Sequence, residues 1–242
     1  ELTVRLLTDM FQNKFTTLKP EENDSNVISF IAGDLLDGSQ DIDENSLKES
    51  LPILPLRNTI VFPGSGLPIS VGRSKSLKLV RALGKRHRYI GLVCQKDNTI
   101  EEPEKDDLYS IGVIAEVIRV IELDKNNLSI IVQAKKRFEW TEFTQTEPFF
   151  AANFRILETK KADKEDKEYR AILDSIRDSM NHMLNILGDP PKELLQTINH
   201  ESFTGMLVSY SATNLPIENR EKQELLSIND EKEQAYRLLM IL

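Results

Sequence analysis

The chain has 242 residues, with 39 acidic against 31 basic side chains, a net charge of −8 and 40% hydrophobic content. That is enough for one large domain or two modest ones with real cores. A single cysteine, Cys94, excludes an intrachain disulfide framework and fits a reducing compartment. No apolar run approaches the roughly 18 residues of a membrane span, and no signal-peptide pattern opens the chain.

The charge is uneven. Residues 21–50 hold nine acids and one base, Lys48, which leaves 51–242 near neutral at −1. A near-neutral body lacks the electrostatic footprint of a general nucleic-acid binder. In chain order, Val4, Leu7, Phe11, Phe15 and Leu18 fall at helical spacing and predict a short amphipathic helix. The acidic stretch that follows reads as a mobile leader, so residues 1–50 are set apart from the body. The first residue is Glu1, which raises the expectation of a piece cut from a longer protein.

Strand patterns begin at Leu51. "PILPL" contains Pro55, which has no N–H to donate, so an edge or bulged strand is expected. "LPISVG" reads as another strand. Ser74 is placed to N-cap a helix "KSLKLVRAL" that ends at Gly84. "YIGLVCQ" is a nearly continuous apolar run and predicts a buried strand. "SIGVIAEVIRVIEL" and "NLSIIVQAKKRFEW" flank the turn residues Asp124 to Asn127 and predict a hairpin. "FFAANFRIL" supplies the last strand. About six short strands and one helix over 51–159 predict a small closed or half-closed β-barrel.

The period changes near Lys160. Tyr169, Ile172, Leu173, Ile176, Met180, Met183, Leu184 and Leu187 mark a long helix, stopped by Gly188-Asp189-Pro190-Pro191. Shorter helices are expected around Leu194–Ile198, around Phe203–Tyr210, and from Pro216 through Leu226. Asp230, with Glu233 three residues later, predicts a capped start for a final helix. No stop signal precedes Leu242, so that helix is expected to continue in a parent protein. Residues 160–242 therefore read as a helical bundle.

Catalytic chemistry is not legible. The Gly84-Lys85 pair lacks the rest of a P-loop, with Leu79 and Arg86 at the positions of its first glycine and its hydroxyl. Gly64-Ser65-Gly66 lacks the outer glycines of a nucleophile elbow, which are Pro63 and Leu67 here. His87, His182 and His200 are scattered, and no pair of residues has metal-ligand spacing. The acid pairs Glu101-Glu102 and Asp106-Asp107 read as hydrated loop.

One stretch is specific. "LPILPLRNTIVFPGSGLPISVGRSKSLK" closely resembles the opening of the N-terminal domain of Lon, the ATP-dependent serine protease family. The matching features are Pro52 to Arg57, Phe62-Pro63, Pro68 to Arg73 and Lys75-Ser76. The likeness continues through "IGLVCQKDNTIEEPEKDDLYSIGVIAEV" and reaches "LPIENREKQELLSIND", so it covers about 51–242. A departure lies at Val132 to Arg137, "VQAKKR", where many family members carry a glycine, which puts the local turn geometry in question.

The resemblance implies an α+β protein: a PUA-like small β-barrel with one helix, followed by a C-terminal helical bundle. It implies no catalysis and no cofactor in this segment. ATP and Mg would belong to an ATPase domain absent here, and a Ser–Lys dyad to a protease domain also absent. Its implied partners are unfolded or damaged proteins, its own ATPase and protease domains and, in the full-length protein, a homo-hexamer. No membrane is implied. A bacterial cytoplasmic setting is expected, with a mitochondrial matrix as the alternative.

Phe62, Pro63, Leu67 and Pro68, with Pro190 and Pro191, are the candidate surface for unfolded chains, because such clients share exposed apolar residues and little else. A second reading has Phe62 and Leu67 plugging the end of the barrel. Two further functions remain as alternatives. One is a spacer or oligomerisation module, and the other is RNA binding through the basic-aromatic patches "KKRFEW" and "GKRHRY".

Overall fold

The computed structural model describes residues 41–43, 47–83, 88–124, 126–187, 192–214 and 217–242. The expected helix at 1–18, nearly all of the acidic leader, Gly84, and the prolines at 190, 191 and 216 lie outside the described residues. Among the described residues, six strands form one sheet: β1 Ser50–Leu56, β2 Gly66–Val71, β3 Tyr89–Cys94, β4 Ile111–Asp124, β5 Asn127–Gln145 and β6 Phe150–Ile156. The order is β2-β5-β4-β3-β1-β6, and β6 also pairs with β5. Five strands thus close a circuit of pairings, and β2 hangs from the first half of β5. The predicted hairpin forms, with Asp124 accepting from the Asn126 amide at 2.7 Å and from the Asn127 side chain at 2.8 Å.

β1 is not a simple edge strand. Ser50–Ile53 pair with β6 and Ile53–Leu56 run parallel to β3, so the strand changes neighbours at Ile53. Pro52 and Pro55 each fall in a half with one neighbour, which is how a strand within the sheet tolerates residues without an N–H. Among the described residues the edge strand is β2, and it contains Pro68. "VQAKKR" lies wholly within β5. Lys135 is the extra residue between the pairs Ala115–Ala134 and Ile114–Lys136, so a bulge stands where a turn was in question.

Helix α1, Ser74–Ala82, follows β2. Its N-cap is Arg73, not Ser74, and it carries no side-chain cap. The helical region holds α2 Lys167–Leu187, α3 Lys192–Asn199, α4 Leu207–Asn214, α5 Asn219–Ser227 and α6 Glu231–Leu239. The expected Phe203–Tyr210 helix divides into a 3-10 segment, Glu201–Met206, and α4. α5 begins after its cap Glu218, three residues later than expected. Asp230 caps α6 as read, accepting from the Lys232 and Glu233 amides. α6 ends at Leu239 rather than running to Leu242.

Strand and helical regions share one apolar core. It joins Leu54, Phe62, Ile90 and Ile130 to Ile176, Leu207, Leu225 and Leu238, all nearly inaccessible. A second cluster on the other side of the sheet surrounds Phe138, with Leu51, Ile53, Val93, Leu108 and Ile114. Gly91 is required there: a Cβ at this position would stand 2.6 Å from both Ile53 Cδ1 and Phe138 Cζ. Covering both faces explains why β3 reads as a continuous apolar run rather than an alternating one.

Candidate functional site

The segment from Phe62 to Val71 is a turn feeding the edge strand. Phe62 O accepts from the Ser65 amide at 3.2 Å, and Gly64 has φ 84°. Proline second and a positive-φ glycine third make this a type II turn, and the sequence Phe-Pro-Gly-Ser supplies both residues. The turn is fastened to its surroundings. Gly64 N donates to Ala134 O at 2.8 Å, and Ala134 N returns a bond to Ser65 O at 2.9 Å. The Gln133 side chain adds a bond to Gly64 O at 3.0 Å.

A further link reaches the helical region. Ser65 Oγ lies 3.1 Å from Thr213 Oγ1, which itself donates to Ser209 O. Thr213 has one proton to give, so Ser65 is the donor of the pair. Lys222, nearly buried on α5, donates to Thr213 O at 2.9 Å.

This anchoring sorts the candidate residues. Phe62 is fully buried and belongs to the shared core, so it is withdrawn from the surface. Phe62 stands at the first position of the turn and packs inward, while Pro63 at the second stays half-buried. Leu67 is half-buried against the core, and Pro68 is exposed. Pro190 and Pro191 lie outside the described residues.

Two apolar residues missed in the sequence are exposed on β4. The pairings align Ile69, Ile130 and Val120 across three strands, and Val120 is 47% exposed. Leu123, near the hairpin tip, is 61% exposed. Their alternation in "VIRVIELD" resembles that of any strand. Burial separates them from their partners: Arg119, Val120, Glu122, Leu123 and Asp124 on β4 are exposed, while Leu128 and Ile130 across from them on β5 stay buried.

The family-like arginines have structural tasks. Arg57 Nε donates to Asn98 O at 2.8 Å, and Arg73 donates to Gln95 Oε1 at 2.8 Å. Buried Gln95 in turn donates to Asp97 O and Ile100 O. Together they pin the loop 95–100. Burial, then the nearby Arg57 charge, lowers the Arg73 pKa.

Arg137 is almost wholly buried in β5 and donates to Leu226 O, Ile228 O, Glu158 O and the Thr159 hydroxyl. Burial lowers its pKa too. The carbonyls at the end of α5 take the place of a carboxylate partner, so this cation joins strand and helix.

The same geometry removes "KKRFEW" as a stacking platform. Arg137 and Phe138 are inside, and the Trp140 indole donates to Tyr109 O at 2.7 Å. In "GKRHRY", residues 84–87 lie outside the described residues, and Arg88 donates to Ile118 O at 3.3 Å.

Burial pushes the Cys94 thiol up to about 11, away from nucleophilic use. Among the described residues, no group of His, Cys, Asp and Glu is arranged to hold a metal ion, and no helix is long and apolar enough to cross a membrane. Asp107 serves the 3-10 turn at Lys105–Asp107, accepting from the Glu104 amide.

Residues 50–242 match the family described as the ATP-dependent protease La (LON) substrate-binding domain. The chain belongs to that family. It is 41% identical over 208 residues to a Lon protease of Parabacteroides distasonis, covering 84% of this chain and 25% of the relative. It is 36% identical over 238 residues to a Lon protease of Porphyromonas gingivalis, covering 96% of this chain and 28% of the relative.

The chain therefore spans about a quarter of the length of these Lon relatives. Its fold is similar to the Lon N-terminal domain of the Mycobacterium avium complex, with TM-score 0.59 and 21% identity, covering 79% of this chain and 96% of that one. A Lon N-terminal domain protein from Xanthomonas campestris gives TM-score 0.57 at 16% identity, covering 79% and 97%. These two likenesses establish the Lon N-terminal fold, a sheet with helices.

Proposed function

We propose that this Lon substrate-binding domain captures unfolded or damaged polypeptides for an ATP-dependent serine protease and performs no catalysis itself. The supporting observation is a set of apolar residues left open or half-open on two strands, Leu67 and Pro68 on β2 and Val120 and Leu123 on β4, in a domain whose family is described by substrate binding. Exposed aliphatic side chains on a strand surface give weak, shape-tolerant contacts, which suits clients with no common sequence. In the full-length protein, ATP and Mg would serve the ATPase domain. Several copies in a hexamer would turn weak single sites into useful avidity for protein quality control.

The closed circuit of strand pairings supports reading 51–159 as a PUA-like barrel, with 160–242 as the helical bundle. Bacterial relatives support a cytoplasmic setting over a mitochondrial one. A second reading, a rigid spacer, draws on the hydrogen bonds that fasten the Phe62–Gly66 turn to β5 and α4.

The test is fluorescence anisotropy of a labelled, permanently unfolded protein titrated with this chain, beside the same protein folded. Selective binding that falls in the Val120→Asp/Leu123→Asp double variant supports the assignment. Selective binding untouched by that variant removes the hairpin from the surface. No selective binding favours the spacer.

A further inference from the structure

We propose that the free edge of β2 receives clients by strand addition, an extended segment of an unfolded polypeptide pairing with Gly66–Val71. The inference rests on the substrate-binding reading above and specifies how that surface works. β5 pairs with one side of β2, and among the described residues no other strand pairs with it. The edge is six residues long, and Pro68 and Ser70 are exposed along it. Leu67 and Ile69 lie half-buried at the margin of the core, so a guest strand would set its own apolar side chains beside them.

Clients of such a domain differ in side chains, but all carry the same backbone N–H and C=O groups. A sheet edge reads that shared feature, and alternate side chains then add apolar contact. A pocket shaped for one sequence would exclude most clients, whereas an edge excludes few.

Pro68 decides between occupants. It sits opposite Ile131 within the β2–β5 pairing although it has no N–H. Strand prolines are tolerated where the nitrogen faces away from the ladder, so its missing donor is a gap in the open edge. A second copy pairing through β2 would bring such a gap from each strand into one short ladder. A client brings its own donors and meets a single gap. The edge thus resists self-pairing while admitting a guest.

The period of two gives Ser70 the same backbone orientation as Pro68, so Ser70 also lines the open side. Its exposure makes it the position from which a bound strand can be detected.

The experiment uses the 242-residue chain and a soluble, fluorescein-labelled synthetic peptide in which valine and threonine alternate. Two further peptides carry N-methyl groups on alternate backbone nitrogens, one set on each edge of the strand. The expected result is asymmetric: one methylated set loses at least about fivefold in affinity for each blocked hydrogen bond, and the other binds as the parent does. A benzophenone on Ser70→Cys should cross-link to the bound peptide, and one on Ser175→Cys, on the exposed side of α2, should not. Buried Cys94, with its raised thiol pKa, stays unlabelled in both.

Equal behaviour of the two methylated sets, whether both bind or both fail, overturns strand addition. Equal cross-linking from the two positions does the same. So does a dimer in sedimentation that the peptide dissociates, which would assign the edge to a second copy. Loss of peptide binding alone, with the unfolded protein still captured, rejects the edge and spares the broader function. Failure of both rejects both.

Discussion

The turn and edge strand at Phe62–Val71 and the hairpin end at Arg119–Asp124 are both apolar segments carried on β-structure, yet they meet opposite fates. The first folds Phe62 into a core shared with the helices and fastens its backbone to β5 and α4. The second leaves Val120 and Leu123 in solvent, although Ile130, paired with Val120 from β5, is buried. Apolar composition therefore says what a segment is able to do. What lies across from it says whether it stabilises the fold or meets a partner.

Substitutions can break this contrast or sharpen it. Phe62→Asp should have the largest effect, about 4 kcal/mol or more, since it buries a charge and empties a filled site. Urea denaturation would show little folded protein, and a near-normal midpoint would contradict the core assignment. Arg137→Met comes next at about 3 kcal/mol, because carbonyls at the end of α5 lose their donor while remaining buried. The same titration checks it, and an unchanged midpoint would show that water replaces the guanidinium without loss.

Gly64→Ala should cost about 1 kcal/mol through the positive φ of the turn, read as a lower melting temperature. Asp230→Ala should lower the melting temperature by less, and its effect should depend on pH. Hydrogen bonds, first from Lys160 and then from the Glu233 amide, hold the Asp230 carboxyl below its ordinary value. A lowered carboxylate pKa gives stability that is full above the unfolded value and disappears as pH falls through the folded one. Wild type and variant should therefore converge in acid and separate toward neutrality, and a constant difference would reject the cap.

Leu123→Asp should change stability least, within about 0.5 kcal/mol, while weakening capture of an unfolded protein. A large loss of stability would show that the hairpin end is packed after all. It would then join Phe62 on the structural side of the comparison.

Much of the fold was legible in the sequence. The hairpin turn, the buried run of β3, the long helix α2 and the Asp230 cap follow from local chemistry: turn residues, apolar period and a side chain able to bond its own backbone. The surface was legible only in part. Phe62 and Leu67 carry the same apolar signal, and nothing in their spacing says that one is sealed and the other half-open. Pro55 was read as marking an edge or bulged strand, whereas β1 has neighbours on both sides in turn. A missing donor limits one hydrogen bond, not the placement of a whole strand.

The sequence by itself determined the family, the order of strands and helices, and the turn at Phe62–Ser65, because each rests on residues near one another in the chain. Among the described residues, tertiary structure decided which apolar side chains reach solvent, why Arg137 is buried without a carboxylate, and which strand keeps an open edge. Those outcomes depend on contacts between distant segments: β5 against α5, Ser65 against Thr213, and β2 against a single neighbour. Burial and edge exposure belong to such pairs of segments, and no stretch of chain encodes them alone.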